Sequence, residues 1–283
     1  MHRLPRRSTL WGGGAAKVPS PLRGGTGWGF NADKAAILRS VPRQTEGPDH
    51  TVLTALHTEE ATPLVLFAGE IFEPMLSGAL FWRAQRTLLV ADLHLEKFSS
   101  YASSGQLLPP YDTALTLKRL AHDLKTTGAE RVIALGDSFH RDAGTRSLMS
   151  ADRDGLTMLV ESVDWLWLAG NHDPAPHALG GTCASFVALG EVLLVHEPRR
   201  AEVGVIAGHL HPAAHIAING RSVKRPCFAH DTGLLILPAY GSTTGSINVL
   251  GPAFSGLFAR SQLQVTMLGR DRLYPVSPRR LVA

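Results

Sequence analysis

The chain has 283 residues, 44% hydrophobic and 18% charged, the balance of one soluble globular domain plus an appendage. No apolar run approaches the roughly 18 residues that cross a bilayer, which excludes a helical membrane protein. Two cysteines, Cys183 and Cys227, form no CxxC pair; this excludes a zinc knuckle or a disulfide scaffold and points to a reduced, cytoplasmic compartment.

The net charge of +4 is unevenly placed. Residues 1–50 hold eight Lys/Arg against three Asp/Glu, and residues 51–283 hold twenty against twenty-one. The basic balance belongs to the leader, so charge alone gives the body no claim to a nucleic-acid surface. Residues 1–60 differ in other ways too. Met1–Gly29 has no acidic residue, clusters of glycine, and Pro5, Pro19 and Pro21, with no sustained apolar period. Such a segment reads as disordered. Three origins stay open: a solvated tail, a translation start placed too far upstream, or a targeting segment, for which the Arg-rich, acid-poor start speaks.

From Thr62 onward, in the expected domain 61–283, short apolar runs alternate with turn signals. Leu64–Ala68, Ala79–Trp82 and Thr87–Ala91 read as strands. Asp112 caps a helix through about Thr126, with Leu117, Leu120, Ala121 and Leu124 on one face and Gly128 as the stop. Arg131–Leu135 is a strand, Gly155–Val163 a short helix, and Trp165–Leu168 a strand with one tryptophan expected on each side. Strands follow at Glu191–Val195, Val203–Ala207, His215–Ile218, Pro226–Ala229 and Leu234–Leu237. Pro252–Arg260 is expected as a last helix, before a strand at Leu263–Leu268. An α/β half followed by a β-rich half fits two packed sheets with helices outside.

Five short motifs lie just beyond apolar runs: Asp92-Leu93-His94, Gly136-Asp137, Gly170-Asn171-His172-Asp173, His196, and Gly208-His209-Leu210-His211. The C-terminal ends of strands are where an α/β sheet presents its site. Residues two apart, as in Asp92/His94 and His209/His211, point to one side of an extended chain, so each pair is expected to grip one cavity. Every motif offers a hard oxygen or an imidazole nitrogen. Two divalent cations about 3.5–4 Å apart would make water a strong nucleophile at neutral pH and neutralise a phosphoryl group. Mixed carboxylate and imidazole donors suit Mn, Fe or Zn. Asp137, at a tight glycine turn, is placed to bridge two ions. His172 beside Asp173 has the form of a general acid steered by a carboxylate. Each motif alone is commonplace; their order and placement together are not.

This set resembles the calcineurin-like metallophosphoesterase superfamily over about Phe67 to Val249. The resemblance implies a four-layer αββα sandwich with a dimetal site between its sheets. It implies Asp92, His94, Asp137 and His211 on one ion, and Asp137, Asn171, His196 and His209 on the other, with His172 as acid. Further stretches, Ala91–Lys97, Leu108–Thr113, Gly136–His140, Ala207–Pro212 and Leu237–Gly241, are similar to the bacterial ligase-associated DNA damage response endonucleases. That similarity implies a Mn-dependent phosphodiesterase acting on DNA, single-stranded by expectation, beside a DNA ligase and helicase. Phe98, Ser242–Thr244 and the leader depart from that subfamily. Other readings stay open: a phosphoesterase acting on nucleotides, cyclic nucleotides or phosphoproteins, and a non-catalytic metal-binding component of a repair assembly. His140, Lys97 and Tyr111 are candidate supporting or substrate residues. Arg199-Arg200 and Lys224-Arg225 could meet a phosphate backbone or simply sit in solvated loops.

Overall fold

A computed structural model describes residues 63–98, 111–141, 147–174 and 178–283. The expected disordered leader, residues 1–60, lies outside the described residues.

Among these, sixteen strands form two mixed sheets. The first runs β1 (Val65–Phe67), β2 (Glu70–Pro74), β3 (Leu80–Trp82), β4 (Thr87–Val90), β5 (Arg131–Ala134), β6 (Asp164–Leu168), β7 (Thr182–Ala184) in spatial order. Its first four strands are antiparallel neighbours, and β4 to β7 are parallel. α1 (Asp112–Thr127) and α2 (Ser150–Ser162) are the crossovers between β4, β5 and β6. The second sheet is built on parallel β9 (Val192–Val195), β10 (Gly204–Ala207) and β13 (Leu234–Ile236), with β8 (Phe186–Leu189) at its edge. Beyond β13 come β12 (Arg221–His230), β11 (Pro212–Ile218) and β14 (Ile247–Asn248), while β15 (Gln264–Leu268) and β16 (Leu273–Val276) pair off β12.

Both sheets are buried on their facing sides. Phe67, Phe72, Leu89, Ile133 and Leu166 of the first meet Leu194, Ile206, Phe228 and Leu235 of the second. Burying each such side chain is worth about 1.5–3 kcal/mol, which makes this layer the main cohesion of the domain. The continuous apolar runs of β4 and β5 follow, because their other face is covered as well. There Leu117 and Leu120 of α1 and Leu156 and Val160 of α2 cover Val132, Trp165 and Trp167. Two mixed sheets with flanking helices are the expected αββα arrangement. Both described α-helices cover the first sheet. The outer face of the second packs Val205, Ala207, Ala229 and Met267 against Phe254 and Leu263.

Several expectations change. The helix expected over Pro252–Arg260 is a single 3-10 turn, Pro252–Phe254, stopped where Gly256 turns left-handed (φ 77°); so short a run cannot offset helix nucleation. α2 begins five residues early, at Ser150, through a polar first turn that carries no apolar period. His215–Ile218 and Pro226–Ala229 are parts of one long hairpin whose tip is exposed. Trp165 and Trp167 lie on the same side, their rings 4.9 Å apart, because residues two apart in a strand share a face. Tyr111, not Asp112, is the N-cap of α1, while Asp112 Oδ2 accepts the Phe98 N–H at 3.1 Å. Gly128 ends α1 as expected, left-handed at φ 61°, its N–H donating to Leu124 O.

α1 also braces the segment after β13. The Tyr240 hydroxyl donates to Asp123 Oδ2 at 2.8 Å, and Arg119 donates to Tyr240 O at 2.8 Å while lying over its ring. The Tyr240 N–H in turn donates to Ala91 O, one residue before Asp92. Tyr240→Phe strands the Asp123 carboxylate, 3% exposed, so it is expected to cost about 1–3 kcal/mol, read as a lower denaturant midpoint. No helix among the described residues is long and apolar enough to cross a membrane.

Candidate dinuclear metal site

All five motifs sit at the C-terminal ends of parallel strands. Asp92 follows β4, Asp137 follows β5, Asn171 and His172 follow β6, His196 follows β9, and His209 and His211 follow β10. The facing sheets therefore bring stretches more than 100 residues apart to one place. The β4–β5 pairing also continues past the strands. The His94 N–H donates to Asp137 O at 2.9 Å and the Leu95 N–H to Ser138 O at 2.9 Å.

The side chains form two groups, Asp92, His94 and His211, and Asp137, His196 and His209, with the candidate donor atoms of each within 4.8 Å of one another. In the first, His94 Nε2 is 3.2 Å from His211 Nε2, which is 3.5 Å from Asp92 Oδ1. In the second, His196 Nε2 is 3.2 Å from His209 Nδ1 and 3.3 Å from Asp137 Oδ1, and Asn171 Oδ1 is 2.9 Å from both imidazole nitrogens. Asp137 faces both groups, because its Oδ2 is 3.9 Å from His94 Nε2.

His209 and His211 face different groups of the one site, whereas Asp92 and His94 share a group. Asp92, His94, Asp137, His209 and His211 all have left-handed φ, from 43° to 71°, so these segments are kinked rather than extended. Such conformations cost about 1–3 kcal/mol each for a non-glycine residue and collect at functional sites.

Three motif glycines make room for this crowding. A Cβ on Gly136 would meet the His196 ring at 2.5 Å, and one on Gly208 would lie 2.8 Å from Ala91 Cβ and 2.9 Å from Asp92 Oδ2. At Gly170 it would overlap the backbone nitrogen and Oδ1 of Asp137. Gly170→Ala is therefore expected to displace Asp137 and cut turnover by about 100-fold or more, the scale of a 1 Å misplacement, measured as kcat with the fold checked by circular dichroism.

Hydrogen bonds orient the imidazoles. His196 Nδ1 donates to Leu135 O at 2.8 Å and His211 Nδ1 to Gly245 O at 3.1 Å, which turns each Nε2 toward its group. In the second group the Nε2 of His196 faces Asn171 Oδ1 and Asp137 Oδ1. The donor set of carboxylate, amide oxygen and imidazole fits a divalent transition metal. Burial opposes a charged His196, yet the hydrogen bond and charge of Asp137, with the charge of Asp92, push its pKa up to about 9. Burial likewise opposes an ionised Asp137, but His196, the His172 N–H at 2.9 Å and His94 hold it down to about 2. Burial, reinforced by His211, keeps His94 neutral, its pKa lowered to about 3. His209 is lowered by burial and by His196.

His172 stands at the rim, its side chain 42% exposed and its Nε2 4.0 Å from Asp137 Oδ2. Its Nδ1 donates to His140 O at 3.1 Å, and the two rings stack at 5.5 Å. The steering expected of Asp173 thus falls to the His140 carbonyl. Asp173 Oδ2 instead accepts the Phe139 N–H at 3.0 Å, bracing the segment after Asp137, and its Oδ1 is buried without a hydrogen bond. Burial raises the Asp173 pKa to about 7 against that amide bond, and the charge of Asp137 adds to the rise. Neighbours in sequence such as His172 and Asp173 turn apart, which the pairing by sequence overlooked.

Of the remaining candidates, His140 is next to His94, with rings 5.7 Å apart, and Lys97 donates from Nζ to Thr243 O at 3.2 Å. Tyr111 is 68% exposed at the start of α1. Arg200 is exposed but tied down: it forms a two-pronged pair with Asp231, donates to Leu257 O and lies over Phe258. Lys224 donates to Ser246 O at 2.6 Å. The orienting carbonyls of Leu135, His140 and Gly245 went unforeseen, since a backbone oxygen leaves no mark in a sequence. A larger cavity, about 790 Å³, is lined by β2, β3, the end of α1 and β16 and holds none of these residues.

No family model and no curated protein matches the chain. Among solved structures it is similar to the nuclease MPE of Pseudomonas putida, 28% identical over 76% of this chain and 99% of that one, with a TM-score of 0.59. The phosphoesterase Yfce from E. coli and a conserved uncharacterized protein from Streptococcus pneumoniae, a predicted phosphoesterase, are each 14% identical over 70% of this chain. They cover 96% and 91% of those chains, with TM-scores of 0.30 and 0.27. The fold is that of the calcineurin-like metallophosphoesterase superfamily, and its two Asp/His clusters are consistent with a dinuclear divalent-metal site of a metal-dependent hydrolase.

Proposed function

We propose that the chain is a manganese-dependent endonuclease that hydrolyses phosphodiester bonds of DNA, single-stranded by preference, in damage repair. The observation that supports it best is the Asp137 carboxylate, with one oxygen turned to each Asp/His group. On this reading Asp92, His94 and His211 hold one ion, Asn171, His196 and His209 the other, and Asp137 both. When bound, such a pair supplies the nucleophile and offsets charge on the phosphoryl oxygens. The protein's own part is to place the phosphate and handle the leaving group. His172, exposed at the rim with Nδ1 held by the His140 carbonyl, protonates the departing alkoxide from Nε2. Manganese suits the mixed donor set, as do iron and zinc. The choice of a nucleic-acid substrate draws support from the likeness to the Pseudomonas putida nuclease, which covers nearly all of that chain. Association with a DNA ligase and helicase belongs to the same reading.

The test is a substrate panel on manganese-loaded protein. Nicking of single-stranded circular DNA faster than hydrolysis of a chromogenic diester is expected. Brisk cleavage of a cyclic nucleotide with no nicking of DNA would rule the reading out.

A further inference from the structure

Next to the second Asp/His group lies a cavity of about 440 Å³, lined by Asn171 and His196 together with Ser185, Phe186, Glu197 and Arg199. Its size falls within the roughly 300–1,000 Å³ of sites that take small organic groups. Phe186 is the notable side chain. It opens β8 at the edge of the second sheet and is 41% exposed, although large aromatic residues gain most from full burial. Its register partner is Val195, the residue before His196, and Phe186 and His196 both line this cavity. The polar wall is of mixed sign. Glu197 repels a phosphate, whereas Glu197 and Ser185 both suit the N–H donors on a base edge. Arg199 is exposed at the mouth, a cation for the backbone.

We infer that this cavity is a nucleobase subsite, in which a base next to the scissile phosphate stacks on Phe186 while the phosphate lies at the Asp/His groups. The inference rests on the proposed DNA-cleaving reading and adds where the strand is gripped. Stacking on an aromatic face is indifferent to base identity, so the subsite favours an unpaired base over a paired one without reading sequence. A duplex, whose bases are stacked on each other, would have to release one first.

The experiment uses the full manganese-loaded chain and two single-stranded oligonucleotides, one intact and one abasic on both sides of a single cleavage site. For the intact strand Phe186→Ala is expected to raise KM on the order of 5- to 150-fold, the equivalent of one base–aromatic stack. It is also expected to abolish the quenching of a 2-aminopurine placed beside the cleavage site on rapid mixing, and Phe186→Trp should restore both. On the abasic strand the wild type should already show the raised KM, with Phe186→Ala adding nothing. Wild-type protein that cleaves both strands with one KM overturns the subsite and leaves the nuclease reading standing, whatever the stability of the alanine variant. Wild-type protein that cleaves neither strand overturns both.

Discussion

Asp137→Ala is expected to leave a folded protein without measurable turnover and with less than its full complement of metal. Asp137 turns a different oxygen toward each group, Oδ2 3.9 Å from His94 Nε2 and Oδ1 3.3 Å from His196 Nε2. Residues that merely support a metal ligand cost about 10–100-fold in affinity or activity when removed, and a ligand shared by two ions must cost more. The alanine also releases the His172 N–H, which donates to Asp137 Oδ1 at 2.9 Å, so the proposed general acid loses its place as well. Asp137→Asn keeps that acceptor and removes only the charge. It should fall with the alanine variant if charge at the shared position is what matters. Turnover and metal content, measured on both variants with circular dichroism as the check on folding, decide the matter. Unchanged turnover in Asp137→Ala would show that another group joins the two clusters.

His172→Ala should behave differently, keeping its metal while losing about 100- to 10,000-fold in kcat, the range of a general acid. The geometry separates the two effects. His172 belongs to neither cluster, its ring is exposed at the rim, and its Nδ1 is tied to a backbone carbonyl rather than turned toward an ion. A substrate with a good leaving group, which needs no proton, should recover much of the loss. Metal lost along with activity would make His172 a ligand instead.

Much of this was legible because chemistry concentrates in short motifs. An apolar run followed by a short motif carrying Asp, Asn or His marks a buried parallel strand and the loop at its end, as at β4, β5, β6, β9 and β10. The convergence of the motifs came from the topology, and a helix such as α1 declared itself by Leu117, Leu120 and the Gly128 stop. What stayed hidden was of two kinds. Short strands such as β2, β7, β8 and β16, of three to five residues, are too brief to show a period, and Phe186 went unnoticed with them. Backbone geometry was hidden as well. Nothing in His209-Leu210-His211 says that both its histidines are left-handed. Nor does Asn171-His172-Asp173 say that a carbonyl from His140, and not the neighbouring carboxylate, holds the histidine ring.

Anomalous diffraction from a manganese-soaked crystal tests the two-ion site most directly. Two peaks are expected about 3.5–4 Å apart, on either side of the Asp137 carboxylate, one against Asp92, His94 and His211 and the other against Asn171, His196 and His209. A single peak, or ions bound away from these seven side chains, would contradict the account.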